Sequence, residues 1–219
     1  AVKLNGREVV KDARGATVSS SAPREDLDVD LSGAPNLLPG ESNVVEVSAY
    51  DAKGTARARG PAVEFEAPGA KLDPPELWIV TCGVSDYAGD ALDLTFPAKD
   101  ATAVASAFEL AGGHHFSESR THVQRLASPA GEGDVPATRE RLGDALQRVA
   151  ASAKANDTFL LYLAGHGVSE GSAGAYRYLL ADASDASATD AALSDADLVS
   201  ALARIPCNHR AVFLDTCAS

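Results

Sequence analysis

The chain is 219 residues long, 45% hydrophobic, and carries 31 acidic against 19 basic side chains for a formal net charge of −12. That length holds one large domain, or a small module plus a medium one, with a buried core. The acidic balance, with no local Lys/Arg cluster, disfavours nucleic acid and favours a basic peptide as partner. No apolar run is long enough to span a bilayer and no basic-then-apolar signal opens the chain, so a soluble protein with no membrane role is expected. Three cysteines cannot build a disulfide framework and fit a reducing, cytoplasmic compartment. Methionine is absent, position 1 included, so a processed or excised start is expected.

Residues 1 to about 68 read as short strands of an all-β, sandwich-like module. Segments 1–4 and 7–10 flank Asn5-Gly6, a strong short hairpin signal. Alternation of apolar and polar residues predicts strands at Leu27–Leu31 and Asn43–Tyr50, with 56–66 extended and Pro61 tolerated only at an edge or bulge. Residues from about 14 to 26 are small, polar and charged, and read as a loop. Pro68, Gly69, Pro74 and Pro75 mark a linker over 69–76.

Beyond the linker the periodicity changes. Leu77–Gly83 is an apolar run suited to a strand covered on both faces. Residues 98–110 place Ala101, Val104, Ala105 and Phe108 on one helical face. A second strand is predicted at Thr121–Leu126. A second helix over 138–153 follows, capped by Thr138 and apolar at Leu142, Ala145, Leu146 and Val149. Thr158–Leu163 is a strand, and Tyr176–Leu180 a short extended segment. Ser194 and Asp197 resemble a capping box for a helix bearing Leu198, Val199, Leu202 and Ile205, stopped by Pro206. Ala211–Leu214 is the last strand. Strand and helix alternating in this way predict an α/β domain over 77–219, with a parallel sheet and right-handed crossovers.

Two of the apolar strands run into reactive side chains: Ala164-Gly165-His166-Gly167 follows the first, and Asp215-Thr216-Cys217 the second. Ligands of open α/β sheets bind outside the carboxyl ends of strands. Both residues are placed two or three positions past such an end. On neighbouring strands about 4.8 Å apart they would face each other as nucleophile and base. The other thiols and imidazoles fit less well. Cys82 lies within the first strand as a small hydrophobe, and Cys207 sits in a turn. His209 enters the last strand at its far end, up to about 26 Å from Cys217. His114, His115 and His122 read as surface polarity, the first two in a turn after a helix. No C-x-x-C pair supports zinc. The glycines beside His166 allow close backbone approach, and the Gly167 N–H is an oxyanion-donor candidate; the plainer reading is a loop histidine beside a glycine turn.

With these residues in view, Leu163-Ala164-Gly165-His166-Gly167 and Phe213-Leu214-Asp215-Thr216-Cys217-Ala218-Ser219 resemble the paired motifs of caspase-fold cysteine peptidases. The separation, 217 − 166 = 51 residues, is close to the spacing known for caspases. The Asp-x-Cys-x-Ser form is similar to metacaspases and bacterial caspase-like peptidases, as is the opening Gly83–Tyr87 with Phe96–Ala101. The likeness covers 77–219. It implies a mostly parallel caspase-like sheet flanked by helices, a His166/Cys217 dyad, and main-chain oxyanion donors at Gly167 and Cys217. It also implies a substrate pocket in which Asp100 and Asp215 receive Arg or Lys of a peptide or protein. Plainer roles for the two aspartates are a helix-start charge and a strand-end cap. A serine often found two residues before the histidine is Ala164 here. No cofactor is required by the resemblance. Calcium is an optional ligand through Asp182, Asp185 and Asp190, whose spacing fits no compact calcium loop and equally suits a solvated acidic loop. The chain stops two residues past Cys217, where such sheets normally continue, so a processed or truncated large fragment with a C-terminal small-subunit partner is expected. A role in bacterial defence or cell death is likewise only what the resemblance suggests; a non-catalytic peptide-binding or regulatory module is the alternative. Leu38-Pro39-Gly40-Glu41 with Val45–Asp51 resembles the second half of immunoglobulin-like modules.

Overall fold

The structure, a computed structural model, describes residues 1–11, 28–51, 53, 55–170 and 175–218. The chain separates into two compact units, Ala1–Pro74 with Lys154–Asn156, and Pro75–Ala153 with Asp157–Ser219.

In the first unit, β1 (Val2–Leu4) and β2 (Arg7–Val10) form the expected hairpin. Asn5 and Gly6 both take positive φ, 49° and 81°, as a two-residue turn matched to strand twist requires. β1 also pairs with β3 (Ser42–Tyr50). β4 (Arg57–Arg59) and β5 (Val63–Glu66) pair with β3 in turn, completing one five-stranded antiparallel sheet. Between β4 and β5 this arm holds one more residue than β3 does, and Pro61, which has no N–H to give the ladder, falls in that bulge. Beneath the sheet, Asn43 is fully buried and binds Asn5 Nδ2 at 2.9 Å and the carbonyls of Leu38 and Glu41. The described residues make a single sheet; the second sheet of a sandwich is not among them. Residues 28–31 carry no strand despite their alternation, and Leu27 and the 14–26 stretch lie outside the described residues.

The second unit is built on a seven-stranded mixed sheet. β6 (Leu77–Val84), β7 (Thr121–Ser128), β8 (Val135–Pro136), β9 (Thr158–Glu170) and β12 (His209–Ala218) run parallel. β10 (Ala175–Leu179) folds back antiparallel on β9, and β11 (Ala192–Ser194) on β10. The order is β11-β10-β9-β6-β7-β8, with β12 on the free flank of β9. β8 and β11 are too short to carry a periodic signal, and the sequence does not announce them.

Helices cover both faces of the central strands, whereas Val212, Phe213 and Leu214 of β12 are exposed. α1 (Pro97–His115) packs Ala101 and Val104 against Tyr162 and Ala164 of β9. α2 (Arg139–Ser152) buries Leu142, Ala145, Leu146 and Val149 against Val80, Leu161 and Leu163, with Leu198 and Leu202 of α3 (Asp195–Arg204) on the same core. Each fully buried large aliphatic side chain contributes roughly 1.5–3 kcal/mol. Thr138 caps α2 by accepting from Arg141 N–H, and Ser194 with Asp197 closes the capping box of α3. α1 starts on Pro97, suited to a first helical position whose N–H is unused.

Two boundaries differ from the sequence reading. α1 continues through Gly112 and Gly113, so His114 and His115 form its last turn rather than a turn after it. Gly112 is tolerated mid-helix because a Cβ there would lie 2.6 Å from Thr121 Cγ2 and 2.8 Å from Leu77 Cδ2: the helix touches the sheet at this point. β9 and β12 also run on past Leu163 and Leu214, so His166 and Cys217 are inside their strands rather than beyond them. The cause is that β9 gains a new antiparallel neighbour, β10, where β6 ends.

Candidate active site

β9 changes partner at its middle. β6 pairs with it up to Gly83 opposite Ala164; β10 takes over from Tyr178 opposite Gly167. Gly165 sits in the gap with φ of 148°, a conformation side chains rarely permit. Buried Tyr178 closes the break: its hydroxyl lies 2.9 Å from the Ala164 carbonyl and 3.2 Å from that of Cys82, sharing one proton between two acceptors.

His166 stands at this break. Its backbone N–H donates to Tyr87 Oη at 3.0 Å, and the Tyr87 ring lies 5.4 Å from the imidazole, centroid to centroid. Burial pushes the Tyr87 phenol up to about 12, so it stays a neutral hydroxyl. The ring Nε2 lies 2.9 Å from the Leu92 carbonyl oxygen. A carbonyl only accepts, so Nε2 carries the hydrogen and, in the neutral ring, Nδ1 keeps the free lone pair. Leu92 is itself held: its N–H donates to Gly89 O, Gly89 N–H to Ala183 O, and Ala88 N–H to Ala181 O.

On the far flank of β9, β12 runs parallel with no strand between them. The register sets Phe213 beside Tyr162, Asp215 beside Ala164, and Cys217 beside His166. These backbones are neighbours about 4.8 Å apart. Thr216 Oγ1 is 2.6 Å from Tyr176 Oη, tying β12 to β10 across Gly167. A Cβ on Gly167 would lie 2.6 Å from the Tyr176 ring, so glycine lets that ring close over the strand. Tyr162 Oη donates to Asp215 Oδ2 at 2.7 Å. Asp100, in the first turn of α1, is near enough to act electrostatically on the same phenol.

The remaining candidates fall elsewhere. His209 pairs with Thr158, at the opposite end of β12 from Cys217. His122 is more than surface polarity: it stacks on Trp78 at 4.1 Å and its Nε2 meets Glu76 Oε2 at 2.6 Å, while the Trp78 indole donates to buried Asp157. Asp182 accepts from Arg139 N–H, and Asp185 from Ser184 and Ser187. Asp190 lines a cavity of about 580 Å³ beside α2 and α3. Asp182 lines the same cavity as Asp190, and Asp185 does not; among the described residues no group of three His, Cys, Asp or Glu could hold a metal ion. A cavity of about 820 Å³ shares Asp93 and Leu94 with the segment that holds His166 and extends to Lys99, Arg125 and Asp134.

Cys82 and Cys207 are both fully buried. Burial pushes the Cys82 thiol up to about 12, against a lowering contribution from the Tyr178 hydroxyl, so it stays protonated near neutrality. Alkylation of the native protein at pH 8 is therefore expected to leave both unmodified, and denatured protein to take label at both; peptide mass spectrometry that finds Cys82 modified before unfolding contradicts this.

Sequence reasoning missed Tyr87, Leu92, Tyr162, Tyr176 and Tyr178. Four of the chain's five tyrosines gather on this segment, yet they come from stretches up to 91 residues apart (178 − 87), and only pairing between strands unites them.

A histidine and a cysteine level on adjacent parallel strands, in an α/β sheet whose central strands are covered on both faces, define the class: a caspase-like α/β domain. The model of the caspase domain, a family of cysteine-peptidase type, matches residues 78–219, and the chain belongs to that family. A crystal structure of a Geobacter sulfurreducens protein is similar at a TM-score of 0.48 and 20% identity, over 65% of this chain and 51% of that one. The chain thus spans about half the length of that protein. No curated protein matches the sequence. Among the described residues no helix is long and apolar enough to cross a membrane.

Proposed function

We propose that the chain carries the dyad of a cysteine endopeptidase that cleaves after Arg or Lys, with Cys217 as nucleophile and His166 as its base. The observation that carries this reading is the register of β9 and β12, which sets Cys217 beside His166. Since Nε2–H is committed to Leu92 O, Nδ1 is the nitrogen that takes the thiol proton. The thiolate adds to the scissile carbonyl and a C–S bond forms. His166 returns the proton to the departing amine as the C–N bond breaks, and water, deprotonated by the same nitrogen, then hydrolyses the thioester. Main-chain N–H groups of Gly167 and Cys217 hold the oxyanion. No cofactor enters these steps.

Asp215 and Asp100 would receive the basic side chain before the cut, as a carboxylate pair suits a guanidinium or ammonium. The acidic surface, −12 overall, favours approach of a basic peptide. In this reading the protein acts in the cytoplasm of a bacterium, in defence or cell death, as a processed large fragment joined by a C-terminal small-subunit segment. The first unit serves as an immunoglobulin-like interaction spacer.

The test is covalent labelling of the full-length protein by peptidyl acyloxymethyl ketones ending in Arg, Lys or Asp, followed by peptide mapping. Arg and Lys probes are expected to modify Cys217, the Asp probe not. Asp215→Ala is expected to slow Arg and Lys labelling by roughly 10- to 100-fold, the cost of a lost charge-assisted contact. Equal labelling by the Asp probe removes the specificity assignment, and no labelling by any probe returns the chain to the non-catalytic, peptide-binding alternative.

A further inference from the structure

Around the dyad, Tyr162 holds a position the proposed chemistry leaves without a task. Its ring is packed among Ala101 and Val104 of α1 and Ala164 of β9, and only 9% of the residue is exposed. The hydroxyl donates to Asp215 Oδ2 at 2.7 Å. Burial first, then that bond and the charges of Asp215 and Asp100, push the phenol far up, so it remains a donor at any working pH. Among the described residues no other group bonds the Asp215 carboxylate, and the residue is exposed. Oδ2 thus already accepts one bond from within, which weakens it towards a second donor, while Oδ1 is uncommitted towards an incoming cation.

We propose that Tyr162 is a specificity-determining residue, which leaves Asp215 one uncommitted and one already engaged oxygen so that lysine is received about as well as arginine. The inference rests on the peptidase reading above and goes beyond it. An arginine fork gains most from two parallel bonds to one carboxylate, whereas a lysine ammonium is a point charge with rotatable donors and needs no such pair. With Oδ2 already engaged by Tyr162, the second bond of a guanidinium fork to Asp215 is weakened, and turning that donor to Asp100 becomes competitive. The advantage of the fork is reduced while that of the ammonium is untouched. The Ala101, Val104 and Ala164 packing keeps the phenol from swinging aside to release the oxygen.

The experiment compares kcat/KM for reporter peptides identical except for Arg or Lys before the cut, in wild type, Y162F and D215A. Y162F frees Oδ2 and is expected to raise the Arg-over-Lys ratio by roughly tenfold, the worth of one added charge-assisted hydrogen bond. A merely structural role for Tyr162 lowers both substrates together and leaves the ratio where it was; that result overturns the inference. D215A separates the two levels of argument. If wild type cleaves both reporters and D215A loses both while Y162F leaves the ratio unchanged, the peptidase reading stands and this inference falls. If wild type cleaves neither, the peptidase reading fails and takes the inference with it. Should Y162F not fold, the wild type decides alone: its two kcat/KM values are expected within about tenfold of one another, and a preference for Arg above roughly 100-fold overturns the proposal.

Discussion

Cys217→Ala and His166→Ala are each expected to lower turnover of a basic reporter peptide by roughly 10⁴-fold or more, and the double variant by no more than either alone. The reason is that neither group has a substitute. Cys82 and Cys207 are fully buried and His209 pairs at the far end of β12, so no second thiol or imidazole can take over. In the proposed dyad the imidazole alone has no nucleophile to activate, and the thiol alone has no base to activate it. Groups that act as a unit lose their effect together, which is why the double variant tests more than either single one. Both substitutions remove atoms where β9 and β12 are held by backbone pairing, so melting temperatures are expected to stay close to wild type. A variant that keeps more than about a hundredth of the rate, or a double variant far below both singles, is incompatible with a dyad.

Gly83→Ala is expected to destabilise the second unit by about 3 kcal/mol, at the upper end of what overpacking costs. At position 83 a Cβ would stand 2.2 Å from the Pro97 carbonyl oxygen and 2.6 Å from Ala101 Cβ. The first is backbone at the start of α1, not the end of a side chain that could rotate away. α1 would have to lift from β6, and with it Ala101, which packs against Tyr162 and Ala164. For a chain of this size the loss corresponds to a drop in Tm of roughly 6–12 °C. Differential scanning calorimetry would read it, and a change below about 2 °C refutes the claim that α1 and β6 touch through this glycine.

Much of the second unit could be read from sequence because its elements obey local rules. α2 and α3 announce themselves by caps and an apolar stripe. β6 and the lower half of β9 are apolar on both faces because helices cover both. The ends of the elements were less legible, since they depend on what lies alongside. β9 runs to Glu170 only because β10 is there to pair with it, and α1 passes through Gly112–Gly113 because the sheet approaches at Thr121 and Leu77. The alternation at 28–31 failed in the opposite sense: a period of two expresses a half-buried surface only where a partner strand exists. At the site, the strand register that sets Cys217 beside His166 is what the two motifs anticipate. The Leu92 carbonyl could not be foreseen, because a backbone acceptor leaves no mark in residue identity.

The exchange of neighbours along β9 divides the work of assembly. Among the described residues the side-chain and ring bonds that orient His166 come from the block formed by β6, β10 and the 86–94 loop: Tyr87 on its N–H, Leu92 on its ring, and Tyr178 on the carbonyl two residues before it. Among the described residues β12 meets His166 only through the backbone ladder, and it pairs with β9 alone. The ring of His166 is therefore anchored by groups outside β12, so in the proposed dyad, loosening that outer ribbon would withdraw the thiol while the imidazole kept its hold on Leu92.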